Sequence, residues 1–287
     1  MRQLFRLLKV TMSRLLLAAL ASVILVSSPT LADSLEQIAA REWQNHVYTL
    51  RAWVGGDNIE TDEQGRVLQS DGPVSWTQSR FEVQKVSVHP DKIEFQGNRV
   101  GVVYNKHKHH LVDRRLLPLR VVMRIDTSKL QPSDLAQITN SLFITDMSQL
   151  CAALPEFWKL AMRQLDKNGQ FYCLSDKPSA TLTAPATGEF YPISSVPGTT
   201  PPAVLKAPDP DYDEVAKTMH VMGVSVLSAI VGTDGTVHDV QIKRPVGMGL
   251  DERAVETIRG WLFRPATRDG KPVAVQVLIE VNFQLVR

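Results

Sequence analysis

The densest group of potential metal ligands in the sequence is a short histidine run. His107, His109 and His110 surround Lys108, and neutral imidazole is the commonest metal ligand in proteins. However, the lysine adds positive charge, and no carboxylate or cysteine stands beside the run. The run also falls where a hairpin loop is expected. We therefore predict a solvated loop and no metal site.

No motif typical of an enzyme stands elsewhere in the sequence. It lacks Gly-x-Ser-x-Gly, His-Glu-x-x-His, a phosphate-binding glycine loop and a cysteine beside a local histidine signature. We predict that the protein is not an enzyme and uses no cofactor. The enzymatic alternative rests on the unassigned segment before the linker, and a screen of His107, His109 and His110 for metal-dependent activity would test it.

The two cysteines, Cys151 and Cys173, are a candidate disulfide if the protein is exported. The bond would close a loop of about 22 residues and contribute roughly 3 kcal/mol by restricting the unfolded chain. Two buried free thiols are the alternative. A metal site is not expected from two cysteines with no histidine nearby.

Residues 1–32 have the three-part layout of a secretory signal peptide. They begin with four cations and no acid: Arg2, Arg6, Lys9 and Arg14. An apolar run over residues 15–26 follows, shorter than the roughly 20 residues of a membrane span. We predict cleavage after Ala32 and a periplasmic protein. An uncleaved inner-membrane anchor facing the periplasm is the alternative.

The charge of the chain argues against nucleic-acid binding. Its 287 residues include 32 Lys and Arg against 30 Asp and Glu, and without the four leader cations the balance is 28 against 30, or −2. Such a chain has no bulk attraction to nucleic acid. A composition of 44% hydrophobic and 22% charged residues is that of a globular protein and excludes a disordered one.

A proline-rich segment divides the rest of the chain. Residues 176–210 contain 8 of the 17 prolines, and proline cannot hold a helix interior or an inner strand. We predict a semi-extended linker between a domain of residues 33–175 and a second domain of residues 211–287.

The first of these domains has mostly strand patterns. Strands are predicted at residues 81–88, 93–95, 100–104 and 117–125, with a turn at Gly97-Asn98. Helices are predicted at residues 35–43, 133–138 and 157–165. Trp53 and Trp76 are expected in the core. The segment is predicted to be a strand-rich α+β domain, and no role is assigned to it.

The C-terminal domain is predicted to have a ββαβ arrangement. Residues 223–231 and 237–243 alternate around a turn at Asp234-Gly235, which indicates a hairpin. Asp251 is expected to cap a helix over residues 252–262. Apolar and polar residues then alternate over residues 273–285, so one strand face must lie on the helix. The result is a three-stranded antiparallel sheet with an open edge, where an extended peptide can pair.

Several motifs of this segment resemble the C-terminal domain of TonB. They are Gly223-Val224-Ser225-Val226, Asp234-Gly235-Thr236-Val237, Val240-Gln241-Ile242, Trp261-Leu262-Phe263-Arg264-Pro265, Asp269-Gly270-Lys271-Pro272-Val273 and Val281-Asn282-Phe283-Gln284-Leu285. The resemblance covers about 75 residues. It implies a periplasmic domain that pairs with the TonB box, a short segment of outer-membrane transporters. In that family, force from an inner-membrane motor then opens the transporter.

The resemblance also implies the residues that meet the partner. The docking edge would be the last strand, with Val275, Gln276, Val277, Leu278, Ile279, Glu280, Val281, Asn282 and Phe283. Pro210 and Tyr212 match part of a Gln-Pro-x-Tyr-Pro run of the family, although its Gln and second Pro are missing here.

The sequence departs from the family where energy transduction is concerned. Residues 1–32 contain no histidine, whereas energised members carry one in their membrane helix, and a folded segment replaces the proline-rich span that follows that helix. Contact with motor proteins is therefore expected only if the N-terminus stays uncleaved. The alternative function is an exported ligand- or cell-wall-binding protein whose C-terminal domain serves assembly or homodimerisation.

Overall fold

The computed structural model describes residues 34–164, 191–192 and 198–285. The predicted signal peptide and most of the predicted linker lie outside these residues. In the part of the chain that is described, no helix combines the length and apolar character of a membrane span.

The described chain from Ser34 to Gln164 has one helix, then six strands, and then three helices with a short strand after the first of them. In chain order they are α1 (Leu35–Trp43), β1 (Val47–Leu50), β2 (Asn58–Thr61), β3 (Val67–Gln69), β4 (Arg80–His89), β5 (Lys92–Asn105), β6 (His110–Arg124), α2 (Leu135–Leu142), β7 (Phe143–Ile144), α3 (Met147–Ala153) and α4 (Glu156–Gln164). A single 3₁₀ turn, Trp76–Gln78, precedes β4.

The later described residues contain shorter elements around one long hairpin and one long strand. They are β8 (Tyr191–Pro192), β9 (Thr199–Thr200), β10 (Ala203–Lys206), α5 (Glu214–Thr218), β11 (Gly223–Val231), β12 (Val237–Arg244), α6 (Leu250–Arg259), β13 (Leu262–Arg264), β14 (Ala266–Arg268), β15 (Lys271–Val273) and β16 (Val275–Phe283).

A seven-stranded sheet organises the N-terminal part, in the order β3-β2-β6-β5-β4-β1-β7. β4, β5 and β6 form an antiparallel meander, while β2 runs parallel to β6. Helices α1 and α2 pack on the sheet, and Trp43 Nε1 donates to Thr139 Oγ1 at 2.8 Å across their contact. The predicted α+β class is confirmed.

The predicted helix over residues 35–43 is confirmed as α1. Ser34 caps it, since its hydroxyl accepts from Gln37 N and the Gln37 side chain accepts from Ser34 N. α4 begins at Glu156, one residue before the predicted helix. The predicted helix over residues 133–138 is shifted to α2, after a 3₁₀ turn at Pro132–Asp134.

The predicted turn at Gly97-Asn98 is wrong, because β5 runs unbroken through both residues. The structure shows why a glycine stands there. A Cβ on Gly97 would lie 1.8 Å from the carbonyl oxygen of Glu82, where β4 bulges between Val83 and Lys85. Gly97 therefore permits close approach of two strand backbones and does not reverse the chain.

A second sheet organises the C-terminal part, in the order β12-β11-β16-β8. β11 and β12 form the predicted hairpin, and β16 pairs antiparallel with β11 from Gly223↔Phe283 to Val231↔Val275. β8 adds two residues parallel to β16. The segment between α6 and β16 contains three short strands that the predicted ββαβ arrangement did not include, namely β13, β14 and β15.

The end of the predicted linker pairs with the C-terminal part. β10 pairs antiparallel with β13, and β9 pairs with β14. β9 and β10 lie within residues 199–206, on either side of Pro201 and Pro202. This described end of the linker therefore pairs with the segment between α6 and β16, in a two-stranded and a three-stranded sheet.

The described residues from Ser34 onward belong to one compact unit. A single buried cluster includes Trp76, Leu150 and Trp158 together with Leu227 and Ile258 of the C-terminal part. Burial of apolar side chains is the main driving force for such packing. The N-terminal and C-terminal parts therefore share a core.

Candidate functional site

The candidate docking edge is built by β16 and its pairing with β11. Ser225, Leu227 and Ala229 of β11 lie opposite Val281, Ile279 and Val277. Because paired residues share a face, these side chains lie together toward α6, where the Ser225 hydroxyl donates to Asp251 Oδ1 at 2.7 Å. The helix thus fixes which face of β16 is buried.

The predicted alternation along β16 is confirmed by burial. The buried members are Val275, Ile279, Val281 and Phe283, and Val277 is half-buried. On the other face, Leu278, Glu280 and Asn282 are exposed. Gln276 is half-buried, and its Nε2 donates to Ser228 Oγ at 2.7 Å. Its side chain therefore supports the sheet as well as lining the edge.

The outer edge of β16 is largely unpaired. β8 pairs with it only at Val275 and Gln276. From Val277 to Phe283, no other described strand pairs with this edge, while β11 covers the opposite edge throughout. Alternate residues of this seven-residue stretch therefore direct backbone donors and acceptors away from the sheet, where a partner strand can pair.

A groove of about 650 Å³ runs beside this edge. Residues 276–280 line it together with Pro201, Pro202, Val204, Trp261 and Phe263, and with Ser228 and Lys243 of the hairpin. Leu278 is 66% exposed and Val204 is 54% exposed. The groove therefore offers apolar contact next to an open strand edge.

The sequence analysis missed the residues that β10 and β13 contribute to the groove. Val204 lies in the predicted linker, and Trp261 and Phe263 were expected at a helix end. One signal was available, since Val204 and Leu205 form an apolar pair within a proline-rich, polar stretch. Such a pair favours a short strand, although both side chains stay more than half exposed here.

Tyr212 lies near the far end of β16, and Pro210 precedes it in the chain. The Tyr212 ring packs edge-on against Phe283 with centroids 5.6 Å apart, and its hydroxyl donates to Val221 O at 2.5 Å. Burial raises the pKa of Tyr212. Both residues are half-buried. The tyrosine thus anchors the chain that leads into α5 and supports the last residue of the docking edge.

The expectation that Asp251 caps its own helix is wrong. α6 begins at Leu250 after Gly249, and the Asp251 carboxylate instead accepts from the backbone N–H groups of Val246 and Gly247. Together with the Ser225 hydroxyl these donors bind a fully buried carboxylate. Burial raises its pKa to about 7, against the lowering effect of the hydrogen bonds. Asp251 therefore holds the loop before α6 rather than the helix end.

Polar contacts join the N-terminal part to the starts of α5 and α6. Gln78 Nε2 donates to Asp213 Oδ1 at 2.6 Å, and Gly249 N donates to Thr77 Oγ1 at 3.1 Å. Ser75 Oγ donates to Glu252 Oε1 at 2.6 Å. The two residues of each pair are 135 to 177 positions apart in the chain. No local sequence pattern could therefore predict these contacts.

Backbone pairing adds to this contact. Tyr104 N donates to Val246 O at 2.8 Å, and Met248 N donates to Val102 O at 3.1 Å. The end of β5 and the loop before α6 are therefore joined by backbone hydrogen bonds like those between two strands. The N-terminal part therefore contacts the C-terminal sheet just after the end of β12, the edge strand on the other side of β11 from β16.

The histidine run lies in the turn between β5 and β6. Asn105 Oδ1 accepts from His107 N and Lys108 N at 3.0 Å each, and His109 has a left-handed backbone with φ 55°. Across the described residues, no three His, Cys, Asp or Glu side chains are grouped to hold a metal ion. The expected hairpin loop is confirmed.

Only one cysteine of the predicted disulfide lies among the described residues. Cys151 lies on α3, a helix that the sequence analysis did not predict. Cys173 lies outside the described residues, so their pairing stays a prediction.

Of the two tryptophans expected in the core, Trp76 is buried in the core that the two parts share. Trp53 is half-buried and packs against that core.

A family model agrees with the resemblance. The family model "Gram-negative bacterial TonB protein C-terminal" matches residues 208–285. Among solved structures, the solution NMR structure of the Pseudomonas aeruginosa TonB CTD matches with 21% identity and a TM-score of 0.26. This match covers 30% of the present chain and 88% of that one. No curated protein matches.

Domains of this family are non-enzymatic binding or energy-transduction modules of the cell envelope, and in general they interact with outer-membrane transporters. The matched residues comprise the hairpin β11–β12, helix α6 and strand β16 described above. Residues 208–285 of this chain are a TonB C-terminal domain.

Proposed function

We propose that this protein docks on an outer-membrane transporter by accepting a transporter strand along β16, within TonB-dependent transport. One observation carries the proposal: residues Val277–Phe283 have a strand partner on one edge only among the described residues. An extended transporter segment on the other edge would satisfy their backbone groups. Affinity would then come mainly from main-chain hydrogen bonds.

The groove beside this edge supports selection of a partner segment by its side chains, in addition to pairing with its backbone. A bound strand directs alternate side chains toward one face, and here that face meets exposed Leu278 and Val204. Lys243 and Glu280 place opposite charges in the same groove. We infer that the partner segment carries apolar side chains at alternate positions, with polar side chains that meet these two charges.

The short strand β8 limits where the partner can pair. It occupies the outer edge of Val275 and Gln276. The proposed pairing therefore covers about seven residues, from Val277 to Phe283. Contact with inner-membrane motor proteins is part of this proposal only for a chain that keeps its N-terminal segment, whose residues lie outside the described ones.

Amide hydrogen exchange on the full chain tests the proposal. The probe is a synthetic peptide of the TonB-box segment from a transporter of the same host. Alternate amides of an edge strand point away from the sheet, so we expect exchange at alternate residues of Val277–Phe283 to slow about tenfold or more on binding. The same peptide with N-methylated backbone nitrogens is the control, since it cannot donate.

Two outcomes would overturn the proposal. One is peptide binding with no change of exchange in β16, and the other is equal binding of the N-methylated peptide. Homodimerisation through two β16 edges is a distinct outcome, because it protects the same amides without peptide and depends on protein concentration. Sedimentation of the full chain at several concentrations separates that result from docking.

A further inference from the structure

A second groove, of about 630 Å³, lies where the N-terminal part meets the C-terminal sheet. The N-terminal part contributes the tip of the β5–β6 hairpin to its lining. The TonB C-terminal domain contributes the start of β11 and the end of β12. The residues used below are Lys106, His107, His109, Met222, Val224 and Arg244. The TonB C-terminal domain alone would supply only half of this groove.

The lining of this groove has one sign of charge. Lys106 and Arg244 are exposed cations, His107 and His109 are exposed imidazoles, and no carboxylate is among the lining residues. The nearest described acid that pairs with them is Glu280, 4.0 Å from Arg244, and both side chains of that pair are at least half exposed. Such an exposed ion pair contributes little free energy. The groove therefore attracts anions.

The tip of the hairpin is held in a defined shape. The Asn105 side chain accepts the backbone N–H groups of His107 and Lys108 at 3.0 Å each. His109 N donates to Asn105 O at 2.8 Å, which closes the turn. The cations of the tip are therefore presented by an ordered turn that a ligand need not organise.

The groove lies at the end of the C-terminal sheet where the proposed docking edge also ends. Gly223 and Val224, which line it, pair directly with Phe283 and Asn282 at the end of β16. A strand that pairs along β16 toward Phe283 would leave the sheet at this place. The groove lies on the β11 side of β16, so a partner chain that leaves the docking edge at Phe283 would cross the end of β16 to enter it.

We propose that this groove binds an acidic stretch of polypeptide that adjoins the segment paired with β16. This inference rests on the proposed function for the adjoining segment, and the groove itself supplies the charge complementarity. Met222, 58% exposed, and Val224 add apolar contact suited to a peptide. The cations come from two separate parts of the chain, whereas a phosphate site gathers its donors around one point.

Peptide binding to the full chain tests this inference separately from docking. The probes are two fluorescent eight-residue peptides, one alternating Glu and Val and the other alternating Gln and Val. We expect the Glu peptide to bind about tenfold more tightly at low salt and to lose this advantage at high salt. The double variant Lys106→Glu/His107→Glu should bind the Glu peptide at least about tenfold more weakly. Arg244→Ala should weaken it about threefold.

The matched control is Lys85→Glu. This exposed lysine lies opposite Gln96 on β5, roughly 30 Å along the strand from Asn105 at 3.3 Å per residue. We expect parent-like binding from it. Equal binding of the two peptides, or a parent-like affinity of the double variant, would overturn the inference.

A failure of docking gives a different pattern. In that case the TonB-box peptide does not bind the full chain, while the Glu peptide still binds and still responds to the hairpin variants. A box peptide extended by three glutamates at either end joins the two tests. It should gain affinity over the plain box peptide at one end only, and a gain at neither end would also overturn the inference.

Discussion

The indole Nε1 of Trp158 donates a hydrogen bond to Oε1 of Glu252 at 2.8 Å, which joins α4 directly to the first turn of α6. The same oxygen accepts from Ser75 Oγ, while Oε2 of the carboxylate is buried without a partner among the described residues. Burial raises the pKa of Glu252. The N-terminal part therefore contributes polar groups to the start of the main helix of the TonB C-terminal domain.

Trp158→Phe tests the strength of this connection. The change removes the donor and leaves Glu252 with one fewer partner in a buried site, so we expect the free energy of unfolding to fall by about 1–3 kcal/mol. The measurement is urea denaturation followed by circular dichroism. Trp76→Phe is the matched control, since Trp76 is also buried and its Nε1 has no partner among the described residues. A loss in the control as large as that in Trp158→Phe would mean that ring size, not the hydrogen bond, matters.

Gly247→Ala should be among the most damaging single-methyl changes in this protein. Gly247 has φ 92°, and a Cβ there would lie 2.1 Å from the carbonyl oxygen of Val102. The change strains the backbone and separates the loop before α6 from the β5–β6 hairpin. We expect a loss of more than about 3 kcal/mol in the free energy of unfolding.

Gly270→Ala separates the effect of backbone strain from the effect of close approach to another backbone. Gly270 has φ 77°, close to that of Gly247, but a Cβ there meets nothing within 4 Å. It should therefore lose only about 1 kcal/mol from backbone strain. Thermal unfolding of both variants gives the comparison. Equal losses would show that close approach to Val102 is not what requires glycine at position 247.

The elements that the sequence predicted best are those whose signals are local. β16 shows its alternation over nine residues, and α1 has its cap, Ser34, immediately before its first turn. The groove residues of β10 and the contact of Gln78 with Asp213 depend on pairing between distant segments. Such pairing leaves little trace in any one segment.

Gly97 and Asp251 show a second reason for error. Each residue type has a common local use, in a turn or at a helix N-terminus, and each here serves a tertiary contact instead. Gly97 permits the close approach of Glu82, and Asp251 accepts from Val246 and Gly247. A residue with two physical uses cannot be assigned from its neighbours alone.

Asp251 should make stability depend on pH. Its pKa rises from 3.8 to about 7 on folding because the carboxyl is buried. Between these values the folded state holds a proton that the unfolded state has lost. The contribution of Asp251 to stability is therefore greatest at low pH, falls as pH rises through this window, and is level above about pH 7.

Asp251→Asn removes this titration but keeps the shape of the side chain. Its amide nitrogen cannot accept, so we expect a loss of about 2–3 kcal/mol near pH 5. The difference in unfolding free energy between parent and variant should shrink as pH rises from about 4 to about 7, by up to about 1 kcal/mol per pH unit. Asp239→Asn, at an exposed position of β12, controls for loss of a surface carboxylate. A constant difference between parent and Asp251→Asn across this range would contradict the assignment.

Leu278→Lys should separate docking from stability. Leu278 is 66% exposed on the face of β16 that lines the groove, and it makes no contribution to the buried clusters. We expect unfolding to change by less than about 0.5 kcal/mol, whereas binding of the box peptide should weaken about fivefold or more because apolar contact is lost. Leu68→Lys is the matched control, since Leu68 is 59% exposed on β3, a strand of the other sheet. Fluorescence anisotropy of a labelled box peptide gives both affinities. Equal affinities of the two variants would show that the partner does not use the groove beside β16, and pairing would then rest on the strand edge alone.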